Sequence, residues 1–265
     1  MTGLLTKDKK EILLAVWSRK KGLSGNCLKL IACILMFFDH LSQGVALQSV
    51  GFTPTYGGPF FDASAWAGFP NAEMLATVAV FFGRIAFPIF CFFLVQGILL
   101  TRDYKKQILR LLLFALIAEV PFDLGLFGQV FYGEHQNVLF TLALGAATIV
   151  AMKYVQDGEK GKWSKLSAAL IFVAAAAVAE FLKFDYGAFG ITAMVLFYLV
   201  SANRRGTMLA GLVAFLFEAP YYGTVYLSLP LIYLYNGKRG RGGRWFFYIF
   251  YPAHLLALYL LSLFL

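Results

Sequence analysis

LKLIACILMFFDHLSQGV, residues 28–45, decides the fold class. After Lys29 it is apolar up to Phe38, and only then do Asp39, His40 and Gln43 appear. The apolar run continues to about residue 48, which is close to the roughly 20 residues a helix needs to cross a bilayer. Further apolar runs follow at about 75–101, 107–128, 138–152, 166–182, 188–202, 207–219, 223–235 and 245–264. Runs 207–219 and 223–235 are short. They are either two thin spans or one broken helix, and Pro220 between them argues against a continuous one. The chain therefore predicts an all-α polytopic transmembrane bundle of about nine spans.

Composition agrees. Hydrophobic residues make up 60% of the 265 and charged residues only 14%, against about 25% charged in soluble domains. A soluble enzyme, a disordered chain and a secreted disulfide scaffold are excluded. The net charge of +9 would suggest nucleic acid in a soluble protein, but the basic residues sit at the ends of the apolar runs. All but two of the 23 lysines and arginines fall at alternate connections or the chain start; Arg84 lies inside a run and Lys183 on the opposite side. The positive-inside rule then predicts a cytoplasmic N-terminus, nine crossings and an external C-terminus.

Residues 1–26 are expected to form a cytoplasmic or interfacial segment, with Ile12, Leu13, Val16 and Trp17 at helical spacing beside lysines. Residues 27–265 then form one transmembrane domain. The polar, lysine-rich start makes a poor signal peptide and is expected to be retained. Loop 49–74 has no lysine or arginine and is rich in glycine, proline and aromatics, which makes it a candidate lid or re-entrant segment. Cys27, Cys33 and Cys91 have no CxxC spacing and read as packing residues, and no metal site is expected. No internal repeat marks the paired halves of a transporter.

Polar groups inside apolar spans face a bundle interior or a water-filled cavity. His40 lies 12 residues past Leu28, about 18 Å along a helix, and Gln43 is one turn from it. An Asp beside a His can support a general base. Arg84, in FFGRIAFPIF, falls at a similar depth and needs a partner: Asp39, Glu119 or a ligand oxygen. Glu119 and Asp123 share a helix face around Pro121. Asn137 suits a helix N-cap, and His254 is a second intramembrane imidazole. These groups cluster in the outer half, and the inner half reads as apolar apart from Gln96.

The stretches LKLIACILMFFDH, FFGRIAFPIFCFFLVQG, RDYKKQILRLLLFALIAEVPFDL, HQNVLFTLALG and FYIFYPAHLLALYL occur in this order, and together they resemble TraX-type membrane proteins. TraX of conjugative plasmids is associated with N-terminal acetylation of pilin. The family is similar to transmembrane acyltransferases that carry acyl groups from coenzyme A to external acceptors. The resemblance implies a multi-pass acyltransferase of the bacterial cytoplasmic membrane. Its donor would be acetyl-CoA or another acyl-CoA. Its acceptor would be an extracytoplasmic amine or hydroxyl on a peptide N-terminus or glycan, with membrane lipids as surroundings and no nucleic acid. It also implies a catalytic His40 with Asp39 beside it, and a structural or substrate-binding role for Arg84.

Acyl transfer needs a base and a donor group near the carbonyl oxygen. His40 suits the first role, and Arg84 or Gln43 the second. Glu119, Asp123, Asn137 and His254 are candidate supports. No GxSxG is present, so direct transfer and an acyl-His40 intermediate are both open. Arg102, Lys105, Lys106, Arg110, Arg204 and Arg205 are available for coenzyme A phosphates. The rival readings are a non-enzymatic transporter of a small polar solute and an envelope-assembly scaffold.

Overall fold

The computed structural model describes residues 4–44, 78–158, 161–218 and 223–264. The proposed lid, residues 49–74, lies outside the described residues. The described chain is an all-α transmembrane bundle. Its helices are α1 (Lys7–Trp17), α2 (Gly25–Gln43), α3 (Ala86–Leu100), α4 (Tyr104–Phe127), α5 (Val138–Gly158), α6 (Lys162–Phe181), α7 (Gly187–Leu199), α8 (Arg204–Ala214), α9 (Ser228–Tyr233) and α10 (Arg244–Ser262). A turn at Arg84–Ile85 precedes α3 within the apolar helical stretch Val78–Leu100.

Five stretches are long and apolar enough to cross a membrane: Gly25–Gln43, Val78–Leu100, Val138–Gly158, Lys162–Phe181 and Trp245–Ser262. At 24 residues α4 is longer than any of these, about 36 Å at 1.5 Å per residue, but it carries Arg110, Glu119 and Asp123. The α7, α8 and Gly223–Tyr233 segments have 13, 11 and 11 residues, short of a straight crossing. Within 207–235, helix α8 ends at Ala214 and a second helical segment covers Gly223–Tyr233, with residues 219–222 outside the described residues.

Local sequence sets the helix ends. Ser24 caps α2 by accepting from the Cys27 amide, Asp103 caps α4 through the Lys106 amide, and Asn203 caps α8 through the Gly206 amide. Each is a short polar side chain placed where an α-helix leaves donors unpaired. Gly128, with φ +67°, closes α4 in the left-handed conformation. The faces without such groups bury Leu28, Ile89, Phe92, Phe122, Ile149, Met194 and Phe197 in one continuous core. Large apolar side chains such as Leu116, Leu170, Val173 and Leu209 remain on the outside, as expected where the solvent is lipid.

The N-terminal segment is docked on this core. Trp17 is 1% exposed, packs on Phe92 at 4.7 Å between ring centroids, and donates from Nε1 to the Ser201 carbonyl. Helix α10 packs along α4 and reaches α2. Gly125 permits the first approach, since a Cβ there would stand 2.9 Å from the Leu255 carbonyl oxygen. This packing brings the last turn of α2 against the middle of α10 and positions the site. Cys33 and Cys91 are buried and Cys27 exposed; all three are free thiols.

Candidate functional site

The last turn of α2 presents Asp39 and Gln43 on one face and His40 on the next. Asp39 and Gln43 are buried. His40 faces α10, where its Nδ1 lies 2.8 Å from His254 Nε2. His254 Nδ1 is in turn 2.8 Å from the Phe250 carbonyl. A carbonyl only accepts, so Nδ1 of His254 carries the proton and its Nε2 is an acceptor. His40 Nδ1 must then donate, which leaves Nε2 of His40 as an unprotonated lone pair. The hydrogen-bond chain thus assigns both tautomers. Stacking holds the rings: His254 lies between His40, at 5.0 Å and 11°, and Phe250, at 4.6 Å and 8°.

The immediate partner of the His40 ring is therefore His254. The Asp39 carboxylate is directed at Arg84, with Oδ1 3.6 Å from Nη2. Arg84 Nη1 lies 3.7 Å from Glu218 Oε1. Two carboxylates from distant parts of the chain thus flank one guanidinium. Gly83 makes the approach possible, because a Cβ there would fall 2.3 Å from Asp39 Cβ. Asp39, His40, Gln43, Arg84, Asp185 and Tyr186 line a cavity of about 60 Å³, enough for a few waters. Tyr186 is fixed by stacking on Phe87 at 3.6 Å.

Glu119 and Asp123 are placed elsewhere. Glu119 accepts from the side chain and amide of Asn137, and Asn137 also donates to the Ala115 carbonyl and caps the start of α5 through the Leu139 amide. Asp123 Oδ2 accepts from the Tyr132 amide at 2.8 Å. The three residues anchor the α4–α5 connection. Sequence depth made Glu119 a candidate partner of Arg84; the structure supplies Glu218 instead. The same connection pairs with the α6–α7 turn: the Gln136 amide donates to the Lys183 carbonyl, and the Asp185 amide donates to the Gln136 carbonyl. His135 Nε2 stands 3.4 Å from Asp185 Oδ1. Burial disfavours a charged His135, but Asp185, helped by Glu119 and Asp123, outweighs it and raises the ring above the ordinary imidazole value.

Of the six basic candidates, Lys106 pairs with Asp103 at 3.4 Å, and Arg102, Lys105 and Arg205 are exposed. Arg204 is a structural clamp. It donates to the carbonyls of Trp17, Tyr233 and Tyr235 and lies 4.8 Å over the Trp17 ring. Arg110 differs, because it lines a cavity of about 510 Å³ together with Lys29, Gln107 and Arg239. The basic half of the bundle, expected to be apolar apart from Gln96, thus holds a largely apolar cavity with three cations on its wall. Lys29 and Arg239 are not singled out by sequence reasoning, since charges at helix ends read equally well as topogenic.

The sequence model of the TraX protein family matches residues 24–262. A curated relative, described as probable fimbrial assembly protein FimC, serogroup H1, of Dichelobacter nodosus, is 32% identical over 278 residues. That alignment covers 91% of this chain and 96% of that protein. No solved structure matches the chain. With its long apolar helices and a match over nearly its whole length, the chain is an integral membrane protein and belongs to the TraX family.

Proposed function

We propose that the protein is an acyltransferase of the bacterial cytoplasmic membrane that moves an acetyl or other acyl group from acyl-CoA to an extracytoplasmic amine or hydroxyl. The observation that carries this reading is the His40–His254–Phe250 carbonyl chain. It leaves a neutral imidazole lone pair beside a cavity that also contains a guanidinium.

In the reaction, His40 Nε2 takes the proton of the acceptor N–H or O–H as that atom attacks the thioester carbonyl carbon. The new imidazolium is held through its Nδ1–H to His254. Arg84 supplies positive charge for the developing oxyanion. When the C–S bond breaks, the thiolate takes the proton back from His40 and leaves as coenzyme A thiol. The amide or ester remains on the acceptor.

In this reading the nine apolar runs cross the membrane with the N-terminus inside, so the His40 cavity lies towards the acceptor side. The relative's description as a fimbrial assembly protein supports a peptide acceptor, such as the N-terminus of a surface-fibre subunit, over a glycan. The same description would suit a non-catalytic assembly scaffold. Incubating the purified protein with acetyl-CoA and a peptide bearing a free N-terminus separates the two. Acetyl transfer gives a 42 Da gain in peptide mass (an acetyl for a hydrogen, about one C2H2O unit by covalent chemistry), and no gain under any acceptor condition overturns the enzyme reading.

A further inference from the structure

At the other end of the bundle from His40, three cations surround the 510 Å³ cavity. Lys29 projects from the start of α2, Arg110 from the second turn of α4, and Arg239 from the α9–α10 loop. Among the described residues no ion pair joins any of the three to a carboxylate. Arg110 Nε is buried without a hydrogen-bond partner. Lys29 Nζ lies over the rings of Phe247 and Phe93, at 4.6 and 5.5 Å. Lys29 and Arg110 are partly buried, and cations held in an apolar bundle are costly unless an anion joins them.

The rest of the cavity is uncharged. It follows α3 from Thr101 to Phe90, 11 residues or about 16 Å along the axis. Phe90 and Leu142 line both this cavity and the His40 cavity. The shape suits a molecule with a polyanionic head and a thin uncharged arm, and the nearby rings of Phe247 and Tyr248 offer faces for a heterocycle. Arginine and lysine bind phosphate oxygens through charge-assisted hydrogen bonds.

We infer that this cavity binds the phosphorylated nucleotide end of the acyl donor, with Lys29, Arg110 and Arg239 on its phosphates, and that the Phe90–Leu142 partition is the passage for its thioester arm. The inference rests on the acyl-CoA reading above and names the donor site within it. An anionic lipid headgroup offers the same phosphate chemistry, so the test must separate the two sources.

The full chain is placed in nanodiscs of phosphatidylcholine, and binding of coenzyme A is measured by calorimetry. Wild-type and His40→Ala proteins should bind it alike. Lys29→Met and Arg239→Gln should weaken it tenfold or more, and adenosine 3′,5′-bisphosphate should compete. Arg239 is exposed, so Arg239→Gln keeps the test open if the Lys29 variant does not fold. Phe90→Trp should retain coenzyme A binding and lose transfer.

Wild-type affinity in both cation variants would overturn the donor site. So would full displacement of coenzyme A by phosphatidylglycerol in the nanodisc, which would make the occupant a lipid. Unchanged transfer in Phe90→Trp would overturn the passage. Coenzyme A binding lost in the cation variants, with no transfer in any protein, would keep the site and reject the acyltransferase reading. Transfer with an unchanged KM for acetyl-CoA in the cation variants would do the reverse.

Discussion

His254 accepts from His40 across 2.8 Å, although the two residues lie 214 positions apart. The contact makes one ring the support of the other. His254→Phe keeps an aromatic ring in the stack but removes the acceptor for His40 Nδ1–H. Turnover should fall on the order of 100-fold, the lower end of what a general base contributes, with the melting profile near wild type. The pH dependence of the rate should change as well, because the base loses its hydrogen-bonded partner. A wild-type rate and pH profile would remove His254 from any positioning role.

Arg84 holds two carboxylates together. Arg84→Leu leaves Asp39 and Glu218 facing each other without a counter-charge, a loss of about 3–5 kcal/mol for a buried pair broken on one side. Expression yield and melting temperature in detergent should both drop. Arg84→Lys restores the charge and should recover yield, but one ammonium cannot fork between both carboxylates, so activity should recover only in part. Equal stability of the Leu variant and the wild type would contradict this assignment.

His135 gives a pH dependence outside the membrane-spanning helices. Its folded-state value lies above the unfolded one, so its contribution to stability is fully present below the unfolded imidazole value. It is lost as pH rises through the folded value. Melting temperature measured from pH 5 to 9 should therefore carry a downward step on the alkaline side of 6.5. Asp185→Asn should flatten that step. A step in the opposite direction would show that His135 is neutral in the folded protein near pH 6.

Much of this architecture is readable in the sequence because membrane spans are specified by length and hydropathy alone. The apolar runs at 28–48, 138–152 and 245–264 each became a long helix for that reason. His40 stood out because polar groups are scarce in such runs. Its partner did not, since helical periodicity fixes depth along one helix but not which helix turns towards which. Depth also made Glu119 a reasonable counter-ion for Arg84, yet azimuth gave that place to Glu218. Lys29 and Arg239 were hidden for a different reason. A cation at a helix end satisfies the positive-inside rule whether or not it also faces a cavity, so composition cannot tell the two uses apart.

Orientation is tested by reporter fusions. A fusion after residue 158 should report the cytoplasm, and one after residue 265 the external side, if nine segments cross. Fusions reporting the same side would require an even number of crossings between them and would reject the nine-crossing topology.

The most direct test of the account is acyl transfer by purified His40→Ala protein whose melting profile matches wild type. Removing the imidazole leaves a space at the wall of a polar cavity that water can fill, so the fold should survive. Transfer from acetyl-CoA to acceptor should be abolished, while Asp39→Asn, which alters the Arg84 pairing but keeps the base, should cost less. Turnover by His40→Ala close to the wild-type rate would contradict the account.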